Sequence, residues 1–118
     1  MFNIFKKRTQ AQLLTTSDFE EFISNTRPAI IMFGAGWCGA CKMQKPIIND
    51  MAHHHRESPV VIGLVDTDQE SELSAIFGIS ALPTTIALRG KEILFKKTGL
   101  VSRRNLEDIF NKLEKTPE

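Results

Sequence analysis

The chain of 118 residues is long enough to bury one core without cross-links, and its 42% apolar and 25% charged content excludes a disordered, collagen-like or disulfide-dense protein. Fifteen Lys and Arg against fourteen Asp and Glu leave a formal charge of +1, which gives no broad basic footprint for nucleic acid or anionic lipid. The longest uncharged stretch, Leu73 to Leu88, is shorter than the ~18 residues expected of a membrane-spanning helix, so no membrane partner is expected.

At the start, Phe2, Ile4 and Phe5 precede Lys6, Lys7 and Arg8, the reverse of a secretory signal's order. Residues 1–10 therefore read as an N-terminal extension of a cytoplasmic chain, a frayed end or an added edge strand rather than an amphipathic anchor. With no repeat or low-complexity linker, one domain is expected over residues 11–113, followed by a tail at 114–118.

Ser17 and Glu20 fit a Ser-x-x-Glu capping box, and Phe19, Phe22 and Ile23 recur at helical spacing, predicting a short helix near residues 18–25. Ala29 to Phe33 is apolar at every position, the pattern of a strand buried on both faces. A long helix should follow, with Cys41, Ile47, Ile48 and Met51 inward and Pro46 inside it. Residues 60–65 read as the next buried strand. Asp68 is placed to introduce a helix carrying Leu73, Ile76 and Phe77, which Gly78 ends. Residues 84–88 and 92–97 flank a turn at Arg89, Gly90 and Lys91, as in an antiparallel hairpin. Ser102 can cap a last helix with Leu106, Ile109, Phe110 and Leu113 on one face.

The resulting order, β-α-β-α-β-α-β-β-α, predicts an α/β fold in which helices cover both faces of a mixed sheet with a parallel centre. The chain's only cysteines, Cys38 and Cys41, then fall where a central strand passes into a helix.

Free backbone N–H groups and the positive end of the dipole stabilise an anion there. Thiolate is the reactive form of cysteine, and such a position in a Cys-x-x-Cys motif can lower a thiol pKa from about 8.5 towards neutrality. Cys38 is accordingly the expected nucleophile. Cys41, one turn on, can reach back to it while shielded from a bulky substrate, which suits a resolving thiol. Inert core cysteines would not need Trp37 and Gly39 around them at a strand end. A Cys2His2 metal site would have to recruit His53, His54 and His55, but these are adjacent rather than three to five residues apart. They also lie roughly 20 Å along the helix from Cys38, so they read as a solvated helix end and no metal site is expected.

WCGACK with Pro46 five positions after the second cysteine, ALPTT around Pro83, and KKTG ending at Gly99 occur in an order that resembles the thioredoxin family. The resemblance spans nearly the whole domain and implies a thioredoxin fold with a cis bond between Leu82 and Pro83. It also implies a shallow surface for substrate made of Trp37, Gly39, Ala40, Ala81, Leu82, Pro83, Thr98, Gly99 and Leu100. The nearby Lys42, Lys96, Lys97, Arg103 and Arg104 read as ordinary solvated charges.

Departures from the family pattern are Ala40 between the cysteines where proline is usual, Met32 in place of a buried carboxylate, Leu64 in place of its lysine partner, and Gly34 in place of a tryptophan. The function expected from the resemblance is thiol:disulfide exchange, reducing protein disulfides through a redox-active Cys38–Cys41 disulfide with no bound cofactor. The expected partners are disulfide-containing proteins and a thioredoxin reductase, a flavoenzyme drawing on NADPH, and the protein is read as a monomer. The alternative is a non-catalytic thioredoxin-like module that binds a partner protein or a metal ion.

Overall fold

The computed structural model describes residues 11–21 and 26–115, together with the backbone of 22–24. Residues 1–10, the side chains of Phe22 and Ile23, and residues 116–118 of the tail lie outside the described residues. In chain order the elements are β1 (Gln12–Leu13), α1 (Thr16–Ser24), β2 (Pro28–Gly34), α2 (Gly39–His54), β3 (Val61–Asp66), α3 (Ser71–Ile76), β4 (Thr84–Arg89), β5 (Glu92–Thr98) and α4 (Arg103–Lys115).

The unbroken apolar run after Arg27 has the consequence its pattern predicts: every residue of β2 is buried at the centre of the sheet. The strand order is β1-β3-β2-β4-β5. β1, β3 and β2 run parallel, while β4 is antiparallel to β2 and β5 antiparallel to β4. Successive β2 side chains point to opposite faces. Ile30 and Met32 pack with Ile48 and Met51 of α2 and Leu106, Phe110 and Leu113 of α4. Ala29, Ile31 and Phe33 pack on the other side with Phe19 of α1 and with Leu73 and Phe77 at α3. Helices thus cover both faces of a mixed sheet, as expected.

Two local expectations are corrected. The capping pair of α1 is Thr15 and Asp18, two residues before the expected one: the Asp18 N–H donates to Thr15 Oγ1 at 3.2 Å, and the Thr15 N–H to Asp18 Oδ2 at 3.2 Å. Thr16 then donates from its N–H and hydroxyl to Glu70 Oε1, at 3.2 and 3.1 Å, tying the start of α1 to the start of α3. That partner, distant in sequence, favours the earlier start.

The helix expected from Asp68 begins instead at Ser71, with Glu70 in the cap position, and Ile76 is exposed rather than inward. At α4 the expected cap holds, Ser102 Oγ accepting the Asn105 N–H at 3.1 Å. Among the described residues no helix is long and apolar enough to cross a membrane.

Candidate active site

β2 delivers the chain to a turn at Ala35–Trp37 that the Cys38 N–H closes onto the Ala35 carbonyl at 3.2 Å. Cys38 is the residue that caps α2: its backbone is extended, and its Sγ accepts the Cys41 N–H at 3.2 Å. A sulfur here occupies the place an oxygen cap usually takes, and a negative charge on it would be met by an N–H group and the positive end of a sixteen-residue helix. Both cysteines are free thiols and both are buried. Burial, then a hydrogen bond with Cys38 and its charge, push the Cys41 thiol up to about 11, partly offset by a hydrogen bond from the Ala35 backbone. Cys41 is therefore held as a thiol at neutral pH.

Gly34 makes this close packing possible. A Cβ there would come within 3.1 Å of both Cys41 Sγ and the Met32 methyl, so a larger residue would have to push the Cys41 sulfur aside. Met32 and Leu64 are register partners on β2 and β3, an apolar pair on the sulfur side of the sheet. Beside them lies a half-open cleft of about 210 Å³ lined by Leu13, Met32, Gly34, Cys41, Leu64 and Asp66, with Lys42 and Lys45 also on its wall. Opposite Met32 on β4, the buried Thr85 hydroxyl is without a hydrogen-bond partner among the described residues.

The peptide bond before Pro83 is cis. Thr84, the first residue of β4, is the register partner of Phe33 near the end of β2, which brings the proline loop to the cysteine end of the sheet. Thr84 Oγ1 donates to the Ala81 carbonyl at 2.6 Å and lies 3.3 Å from Thr98 Oγ1. The Gly99 N–H donates to the Pro83 carbonyl at 2.7 Å, with Gly99 in the positive-φ region at 96° that favours glycine. The segments 81–84 and 98–99 are therefore one bonded unit. Trp37, 71% exposed, is oriented by its indole N–H, which donates to Asp68 Oδ2 at 3.0 Å. This bond is what occupies the carboxylate expected to cap α3.

Gln44 was not among the expected site residues. It is fully buried, three residues beyond Cys41, and its side-chain amide donates from Nε2 to the Val101 carbonyl at 3.0 Å while Oε1 accepts the Val101 N–H at 2.7 Å. A polar residue on the stripe Cys41, Gln44, Ile48, Met51 was the visible signal.

The histidine run does not behave uniformly. His53 and His54 are exposed, but His55 turns into the seam between α2 and α4, against the expectation of a solvated helix end. Its ring stacks on Phe110 with centroids 3.8 Å apart, and its Nε2 lies 2.8 Å from Glu107 Oε1. Arg103 joins the same group, bonding Glu107 at 2.7 Å and Asp50 at 2.6 Å. Burial would raise the Glu107 carboxyl, but hydrogen bonds from Arg103 and His55 outweigh it and hold it below its ordinary value. Lys96, also expected to be solvated, donates to the Phe77 and Gly78 carbonyls at 2.9 and 3.3 Å. Among the described residues no group of His, Cys, Asp and Glu is placed to hold a metal ion.

Residues 10–115 match the thioredoxin family model. The chain is 30% identical over 94 residues to a thioredoxin of Alicyclobacillus acidocaldarius, covering 80% of this chain and 89% of the relative. It is 31% identical over 102 residues to a putative thioredoxin 2 of Streptomyces coelicolor, covering 86% and 75% of the two chains. In three dimensions it is similar to the structure of a mutant thioredoxin from Halobacterium salinarum, with a TM-score of 0.80, 18% identity, and 95% and 97% of the two chains covered. A dithiol at a helix start, a cis-proline loop beside it and these likenesses together place the chain in the thioredoxin family, whose thiol:disulfide oxidoreductase activity it shares.

Proposed function

We propose that the protein reduces protein disulfides, with Cys38 as nucleophile and Cys41 as resolving thiol. The observation that carries this is the Cys41 N–H donated to Cys38 Sγ at the start of α2. The Cys38 thiolate attacks one sulfur of a substrate disulfide, forming a mixed disulfide and releasing the other sulfur as a thiolate that takes a proton from water. Cys41 then loses its proton, attacks Cys38 Sγ, forms the Cys38–Cys41 disulfide and expels the reduced substrate. Two electrons pass from the dithiol to the substrate.

The causes of the high Cys41 pKa support this order of events. Burial, the largest cause, stays in place, but the hydrogen bond with Cys38 and the Cys38 charge add to it, and these two are lost once Cys38 is in a mixed disulfide. The resolving thiol thus becomes easier to ionise when it is needed. With Met32 in place of a carboxylate, the half-open cleft beside Cys41 is the route by which its proton reaches water.

The substrate lies on Trp37, Gly39 and Ala40, along Ala81–Pro83, and against Thr98–Leu100, where the Leu82 backbone pairs with an extended segment. We assign the protein to the cytoplasm, as a monomer recycled by a flavin-dependent thioredoxin reductase drawing on NADPH. Insulin reduction with dithiothreitol tests the assignment: the protein accelerates precipitation, whereas a partner-binding module would not. The Cys38/Cys41 potential gives the direction of electron flow, and a value well above about −200 mV would contradict a general reductant.

A further inference from the structure

The segment after β5 has no ladder partners among the described residues, yet it is held at both ends. Gly99 is bonded to the Pro83 carbonyl at 2.7 Å. Val101, 2% exposed, has both backbone groups taken by the Gln44 amide, at 2.7 and 3.0 Å. Between these anchors Leu100 remains 44% exposed beside the cysteine end of the sheet. Gln44 belongs to the same helix as both cysteines, so its two bonds tie that helix directly to the loop.

We infer that Gln44 is a positioning residue for protein substrates: it sets the Gly99–Val101 loop against the thiol helix, and so favours extended polypeptide disulfides over small ones. A small disulfide needs only the Cys38 sulfur, while a polypeptide must also lie along Pro83 and Leu100. An apolar residue at 44 would fill the space but leave the buried N–H and C=O of Val101 without partners, a loss the loop relieves by moving towards water. The inference rests on the disulfide-reductase reading and adds the residue that tunes its substrate preference.

The test compares the wild-type protein, Gln44→Met and Gln44→Glu in reduction of insulin and of a small aromatic disulfide. Gln44→Met raises KM for insulin about fivefold to tenfold, with kcat and the rate on the small disulfide within about twofold of wild type. Gln44→Glu shows the same defect at about pH 8. It recovers as pH falls, because a buried carboxyl titrates high and in its protonated form offers the same donor and acceptor as the amide.

Equal losses on both substrates, a fall in kcat at unchanged KM, or no recovery at low pH would overturn the inference. Amide exchange provides a readout independent of turnover: Val101 and Gly99 exchange faster in folded Gln44→Met while Ile48 and Met51 do not, and unchanged protection at Val101 also overturns it. Failure of the wild-type protein to reduce insulin would instead remove the underlying reading, with the exchange comparison still deciding whether Gln44 holds the loop.

Discussion

The two ends of α2 are built on opposite principles. At its start, the Cys41 N–H is given to a sulfur whose reactive form is an anion, and the neighbouring Cys41 is a buried thiol with a pKa of about 11. At its end, His55 closes on Phe110 and Glu107, and Arg103 links Glu107 to Asp50, so the polar groups of that seam neutralise one another. One end keeps a group ready to exchange partners; the other spends its polar groups on holding α2 to α4. Local stability and reactivity are therefore separable along a single helix, and substitutions at the two ends should have different signatures.

The largest effect is expected at the reactive end. Cys38→Ser reduces insulin turnover to background while leaving the fold intact, since the hydroxyl can still accept the Cys41 N–H; near-wild-type turnover would remove Cys38 from the role given to it. Met32→Asp comes next. An ionisable group placed in the apolar pair with Leu64 costs about 2–4 kcal/mol in denaturant unfolding, and it speeds the resolving step at neutral pH by providing a proton acceptor near Cys41. Stopped-flow decay of the mixed disulfide, compared with urea melts, separates the two consequences.

At the sealed end, Glu107→Gln should lower stability by roughly 1 kcal/mol, because the carboxylate is partly exposed and solvent screens its pairs with Arg103 and His55. Insulin reduction should be unchanged. A loss of activity matching that of a cysteine variant would abolish the distinction between the ends. Thr85→Val, which removes a buried hydroxyl that has no partner among the described residues and keeps a nearly isosteric side chain, should raise stability by about 1 kcal/mol in the same assay.

The smallest effect is on stability against pH. Cys41 binds its proton more tightly folded, with a pKa of about 11 against 9.0 for an unperturbed thiol, so its contribution is fully present below pH 9.0 and lost as pH rises through about 11. Melting of the reduced protein over that range should fall more steeply than melting of Cys41→Ala.

Much of the scaffold was legible because local chemistry and final environment agree. The run Ala29–Phe33 has no polar face to offer and became a wholly buried strand, and Ser102 precedes an amphipathic stretch and capped it. The cysteines were legible from the motif Trp37–Cys41 at the end of that strand. What the sequence hid depends on partners far along the chain. Residues 15–20 contain two overlapping capping patterns, and the bonds from Thr16 to Glu70 accompany the earlier one. Asp68 reads locally as a helix cap, but the Trp37 indole claims it across 31 positions. Gln44 reads as a flaw in an apolar stripe until Val101, 57 positions away, is placed against it.

Whether exchange starts at Cys38 and is completed by Cys41 is decided by intact-mass analysis of Cys41→Ser incubated with a protein disulfide. A long-lived covalent adduct is expected, one that proteolysis maps to Cys38 and that dithiothreitol releases. Absence of any adduct under conditions where the wild-type protein reduces the same substrate would contradict that order.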